Sequence, residues 1–147
     1  MIRPARFADA TLLATLHAAT FPDDPWPALG FMTLLASPGT DGFVLEDEHG
    51  PAGFAFLRSA AGESEVITIG VHPDERGRGH GRALVQRIVE RAAERGSGEI
   101  YLEVAEDNPV AIRLYTELRF IPVGRRPGYY RRSDGQITAL VLRRSVD

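Results

Sequence analysis

Behind Asp9, the apolar residues Leu12, Leu13, Leu16 and Ala19 recur at helical spacing, and the run ends near Thr20. One apolar face with a side chain able to cap its start predicts an amphipathic helix. Ahead of it, "IRPARF" reads as a short edge strand, because Pro4 has no N–H for a central ladder. "FPDDPWP" carries too much proline for regular structure, and residues 28–36 predict a second short helix before "SPGTDG". The period then changes. "FVLED" and "GFAFLRS" flank the turn "EHGPA" as an antiparallel hairpin, and "EVITIGV" is a third, β-branched strand. Over residues 83–95 helical spacing returns through Leu84, Val85, Ile88, Val89, Ala92 and Ala93, with Gly96 as the C-cap. "EIYLEV" is the next strand. Asn108 then caps a helix that has Pro109 in its first position and Ala111, Ile112, Leu114, Tyr115 and Leu118 on its face. "FIPVGR" and "ITALVLRRS" close the chain as an antiparallel pair around a loop, "RPGYYRRSDG".

A strand, a helix and a strand in succession require a parallel pair, here inside a sheet otherwise built from hairpins. The expected fold is therefore a mixed α/β domain with a largely antiparallel sheet. With 147 residues, 44% of them hydrophobic, residues 1–147 fill one domain and are too few for two. Seventeen basic against 20 acidic residues leave a formal charge of -3, so no global basic field favours nucleic acid as a partner. The absence of cysteine excludes a thiol nucleophile and fits a reducing compartment. His17, His49, His72 and His80 share no ligand spacing, so no metal is expected. Arg3 and Arg6 precede an apolar stretch as in a signal peptide, but Asp9 and His17 interrupt it, and no window has the apolar length of a membrane span. The expectation is a soluble cytoplasmic protein with no membrane partner, a monomer or weak homodimer.

The third strand runs into "GVHPDERGRGHG" at the entrance of the third helix. A helix N-terminus offers free N–H groups and the positive end of its dipole, and glycine lets a ligand approach the backbone closely. With Arg76, Gly77, Arg78, Gly79, His80, Gly81 and Arg82 around that point, the residues read as a phosphate cradle or, more plainly, as a solvated basic turn. The spacing is neither G-x-G-x-x-G nor a Walker loop, which disfavours NAD and nucleoside triphosphates.

The V-x-P segment followed by Arg76, Gly79 and Gly81 resembles the acyl-CoA pyrophosphate loop of the GNAT superfamily of N-acyltransferases. Downstream, "LEV", Asn108, Ala111, "LY" and "LRF" are similar to that family's second conserved region. With "TFPDDPWP" and the "YY" of the last hairpin, the likeness narrows to the RimI group of ribosomal-protein-alanine N-acetyltransferases and covers nearly the whole chain. Two positions depart from it. Arg119 stands where the family usually has glycine after a helix, and Thr138 where the group commonly has an acidic residue.

The resemblance implies acetyl-CoA as cofactor, bound where the parallel strands splay, with the backbone of Ile69 and Val71 pairing with its pantetheine and thioester, and Asn108 touching it as well. It implies transfer to a primary amine, with a protein N-terminus or peptide as acceptor. An α-amino group, with a reference pKa of about 8, needs only a modest base. From its strand position alone Glu103 reads as an outward, solvated carboxylate; the resemblance makes it the base, acting through water. Glu65 at the entry of the preceding strand is the competing base. Tyr115 lies two helical turns into its helix on the face of Ala111 and Leu118, where spacing fits a core aromatic equally well; the resemblance makes it the acid for the leaving thiolate. Trp26 on one side and Tyr129 and Tyr130 on the other are the expected walls of the acceptor groove. The competing readings are an enzyme for a small amine, such as a polyamine or aminoglycoside, and a non-catalytic acyl-CoA sensor.

Overall fold

The computed structural model describes residues 1–132 and 135–147. Its elements run β1 (Ile2–Pro4), α1 (Ala10–Thr20), α2 (Ala28–Ala36), β2 (Thr40–Asp47), β3 (Gly50–Ala60), β4 (Glu63–Val71), α3 (His80–Glu94), β5 (Glu99–Ala105), α4 (Pro109–Glu117), β6 (Ile121–Arg132) and β7 (Gly135–Ser145). The strands form one mixed sheet in the order β1-β2-β3-β4-β5-β7-β6, antiparallel except between β4 and β5.

Alternation along the strands divides the core between the two faces of the sheet. Phe54 and Phe56 of β3 pack with Val44 under Leu13 and Leu16 of α1 and Phe31 of α2. Ala55 and Leu57 of the same strand join Ile100, Leu102 and Val104 of β5 under Leu84, Val85 and Ile88 of α3. The apolar run "FAFL" is thus buried on both sides, as a central strand requires. Burial of each large side chain contributes about 1.5–3 kcal/mol.

The helix ends explain themselves locally. Asn108 Oδ1 accepts the Ala111 N–H at 3.2 Å, the cap expected from the sequence. Arg119, standing for the glycine, takes a left-handed φ of 74° after α4, at a cost of about 1 kcal/mol. Three expectations are corrected. The carboxylate of Asp9 does not cap α1: it accepts the Arg6 N–H at 2.8 Å and ion-pairs with Arg3, closing the short 3-10 turn that leads into the helix. α3 starts at His80, three residues before the apolar pattern shows it. The predicted loop "RPGYYRRSDG" is largely strand, since β6 continues to Arg132 with a register break between Arg126 and Tyr130. Pro122 and Pro127 fit there because β6 is the edge strand, where a missing N–H leaves no neighbour unpaired. Ser133 and Asp134 of that loop lie outside the described residues. No helix among the described residues is long and apolar enough to cross a membrane.

His17 is buried in α1 between Phe21, Trp26, Phe31 and Phe54, stacked on the Trp26 ring at 4.7 Å. Its Nδ1 accepts the Trp26 N–H at 3.1 Å, which ties the proline-rich segment to the helix. Burial pushes its pKa down to about 4, so the folded protein holds it neutral. Its contribution is full above about pH 6.5 and is lost as the pH falls towards 4, because the unfolded chain takes up the proton first. Chemical denaturation is expected to show on the order of 2–3 kcal/mol less stability over that window, and His17→Asn, which keeps an acceptor, to flatten the dependence. An unchanged slope in that variant would assign the acid sensitivity elsewhere.

Candidate active site

β4 and β5 pair only from Glu63–Glu65 to Glu99–Tyr101 and then part, although β4 continues to Val71 and β5 to Ala105. A bulge helps to separate them. Phe56 pairs with Thr68 and Leu57 with Val66, so Ile67 is an extra residue that bends β4. The gap opens into a cleft of about 1320 Å³ bounded by β4, β5, the loop before α3, α4 and the "DDPW" and "YY" segments. The His72 N–H donates to Ala52 on β3, so strand alternation turns the backbone polar groups of Val71 and Ile69 the other way, to the cleft side. The Val71 carbonyl is taken by Arg76 Nε at 3.1 Å, which fixes the loop to the end of β4.

The cradle takes shape from its glycines. Gly77 and Gly79 have φ of 81° and 83°, and a Cβ at either would meet nothing within 4 Å. Both therefore need glycine for conformation and leave open space beside the first turn of α3. Arg76, Gly77, Gly79, His80, Gly81 and Arg82 line the cleft. The arginine charges are less free than expected. Arg78 is turned onto Glu48 and Glu75 at 3.2 and 3.4 Å, and is a correction to its reading as a cleft residue; Arg82 meets Glu117 at 2.6 Å. His80 Nε2 lies 3.1 Å from Asp47. Asp47, His49 and Glu75 gather within 4.8 Å, a grouping invisible in histidine spacing, but the cation beside Glu75 is the guanidinium of Arg78.

Glu103 and Tyr115 both line the cleft, from β5 and α4. Glu103 keeps a quarter of its side chain exposed; its Oε1 is 3.2 Å from Arg126, and its Oε2 is buried with no hydrogen-bond partner among the described residues. Burial raises its proton affinity above that of an ordinary glutamate, Arg126 counteracts this, and the charge of Glu65 adds to it. Glu65 is mostly exposed and pairs with Arg58 at 3.3 Å. Tyr115 is 7% exposed, and burial pushes its phenol up to about 12. Its ring meets Phe120 in T-shaped contact at 5.8 Å, and its hydroxyl makes no hydrogen bond among the described residues. Such a hydroxyl is a proton donor at any working pH.

Tyr129 and Tyr130 meet edge to face at 5.1 Å and line the same cleft as Trp26. The Tyr130 hydroxyl donates to the Glu103 carbonyl at 3.0 Å, fastening the hairpin to the strand that carries the carboxylate. Arg126 was not among the residues singled out by the sequence. It reaches Glu103 because β6, β7 and β5 are in register, with Arg126 opposite Ala139 and Ala139 opposite Ala105. His17 and Glu65 also line the cleft.

Residues 11–120 match the family described as Acetyltransferase (GNAT) family, and the chain belongs to it: it is an acetyl-CoA-dependent N-acetyltransferase. Its relatives point to one branch of that family. The chain is 42% identical over 129 residues to N-alpha-acetyltransferase RimI of Mycobacterium tuberculosis (strain ATCC 25618 / H37Rv), covering 84% of this chain and 80% of that protein. It is 33% identical over 100 residues to the ribosomal protein bS18-alanine N-acetyltransferase of Escherichia coli (strain K12), covering 68% of each. The crystal structure of the ribosomal-protein-S18-alanine N-acetyltransferase from Escherichia coli superposes with a TM-score of 0.91 at 26% identity, over 100% of this chain and 94% of that one.

Proposed function

We propose that this chain acetylates the N-terminal α-amino group of a protein, with Glu103 as base and Tyr115 as acid. The observation that carries the chemistry is that a partly buried carboxylate, Glu103, and a protonated phenol with no hydrogen-bond partner among the described residues, Tyr115, line one cleft. Acetyl-CoA supplies the acetyl group, activated as a thioester. The open space beside Gly77 and Gly79, the free N–H groups of the first turn of α3, and the outward backbone of Ile69 and Val71 fit its pyrophosphate and pantetheine. Asn108 and Ala111 bound the same cleft from α4. The Val71 N–H orients the carbonyl that is to react. The Glu103 carboxylate takes the proton of the attacking amine, directly or through one water, and the Tyr115 hydroxyl gives its proton to the departing sulfur as the N–C bond forms and the C–S bond breaks.

For the acceptor, the support is the groove between Trp26 and Tyr129–Tyr130 together with the N-terminal substrates named for the two relatives. Aromatic walls offer apolar faces to the first side chains of a peptide and hydroxyls to its backbone. A ribosomal or other cytoplasmic protein beginning with a small residue is the proposed partner. Mass spectrometry of protein N-termini from cells with and without this chain tests it: a defined set of N-termini should lose acetylation with the chain. Unchanged N-termini would reject the acceptor class.

Replacing Gly79 by Leu should weaken acetyl-CoA binding by roughly tenfold or more in calorimetry. A left-handed φ costs an ordinary residue about 1–2 kcal/mol, and its side chain would fill the cradle. Parental affinity in this variant would move the cradle elsewhere.

A further inference from the structure

The carboxylate of Glu103 is approached from every neighbouring strand. Arg126 of β6 puts Nη1 3.2 Å from Oε1, and Tyr130 of the same strand holds the backbone carbonyl. Glu65 of β4 adds a like charge, itself answered by Arg58 of β3. Tyr101 of β5 spends its hydroxyl on Glu99 at 2.7 Å, and Val141 of β7, the register partner of Glu103, is apolar. Among the described residues Arg126 is the cation on this carboxylate, and it touches one oxygen only. In the same position the guanidinium lies 4.5 Å over the Tyr129 ring and keeps 54% of its side chain exposed. The aromatic face therefore holds the guanidinium beside the carboxylate.

We propose that Arg126 is a positioning residue for Glu103: braced on Tyr129, it ion-pairs with Oε1, orients the carboxylate and keeps it ionised in the free enzyme. The inference rests on the reading of Glu103 as base. Without Arg126 the carboxylate faces burial and the Glu65 charge with no counterion, binds its proton more tightly, and is less often ionised at low pH. The loss is therefore largest on the acidic side of the profile and vanishes where Glu103 is fully ionised.

The test uses the full chain with an alanine-initiated peptide and saturating acetyl-CoA, following kcat/KM against pH for the parent, Arg126→Gln, Arg126→Lys, Glu103→Gln and the Glu103→Gln, Arg126→Gln double variant. Arg126→Gln is expected to move the acidic limb to higher pH, with kcat/KM roughly three- to tenfold lower at the acidic end of the profile and near the parent's at its basic end. Arg126→Lys keeps the charge and should restore the parental limb. In the Glu103→Gln background, Arg126→Gln should add no further loss, because its only route of action is gone. A profile of Arg126→Gln that superimposes on the parent's, or a loss equal at every pH, would overturn the proposal while leaving the base assignment in place. Parental turnover in Glu103→Gln would instead remove the base and this inference together.

Discussion

Glu103→Gln should lower turnover by on the order of 10² to 10⁴ while leaving acetyl-CoA affinity within about twofold, the range for losing a positioned general base. The amide keeps the volume and the place on β5 but cannot take a proton. Because Oε2 has no hydrogen-bond partner to lose, the fold should survive the exchange, and thermal denaturation should confirm this independently of activity. The carboxylate's share of the acidic limb should disappear, leaving the limb set by protonation of the acceptor's α-amine. If Glu103→Gln turns over like the parent while Glu65→Gln collapses, the base belongs to β4, the other strand of the splay.

Tyr115→Phe is expected to cost a similar factor of about 10² to 10⁴, but with a different signature. With its phenol pushed up to about 12, Tyr115 is protonated throughout the working range, so its loss should scale the whole pH profile down without moving either limb. The ring stays, and with it the packing on Phe120, so stability should change little. A Tyr115→Phe variant that keeps parental turnover would leave the thiolate to leave unassisted or to be protonated by water.

Much of this arrangement is legible in residue order. The apolar run of β3, the Asn108–Pro109 helix start and the glycine-rich entrance to α3 are local patterns, and each lies where its pattern places it. Glu103 and Tyr115 were readable only through family resemblance, since a lone strand carboxylate and a helical tyrosine have ordinary structural roles. What the pattern does not carry is register. The extra residue Ile67 that ends the β4–β5 ladder is a property of hydrogen bonding between strands, and so is the alignment that brings Arg126 to Glu103. Likewise, the pairing of Arg78 with Glu48 and Glu75 depends on the β2–β3 turn folding against the loop before α3, residues 30 apart in the chain. The long β6–β7 hairpin was hidden by Pro127 and Gly128, which mark a loop in isolation but are admissible at a sheet edge.

The central claim is that the acceptor is a protein N-terminal α-amine. It is tested most directly by a single set of initial rates at saturating acetyl-CoA, read by mass of the product. The set contains a short peptide that begins with alanine and carries an internal lysine, the same peptide with its α-amine blocked, and spermidine. One acetyl group is expected on the α-amine of the first, none on the second, and slower turnover of spermidine than of the free peptide. Acetylation of the blocked peptide at lysine, or faster turnover of spermidine, would contradict it.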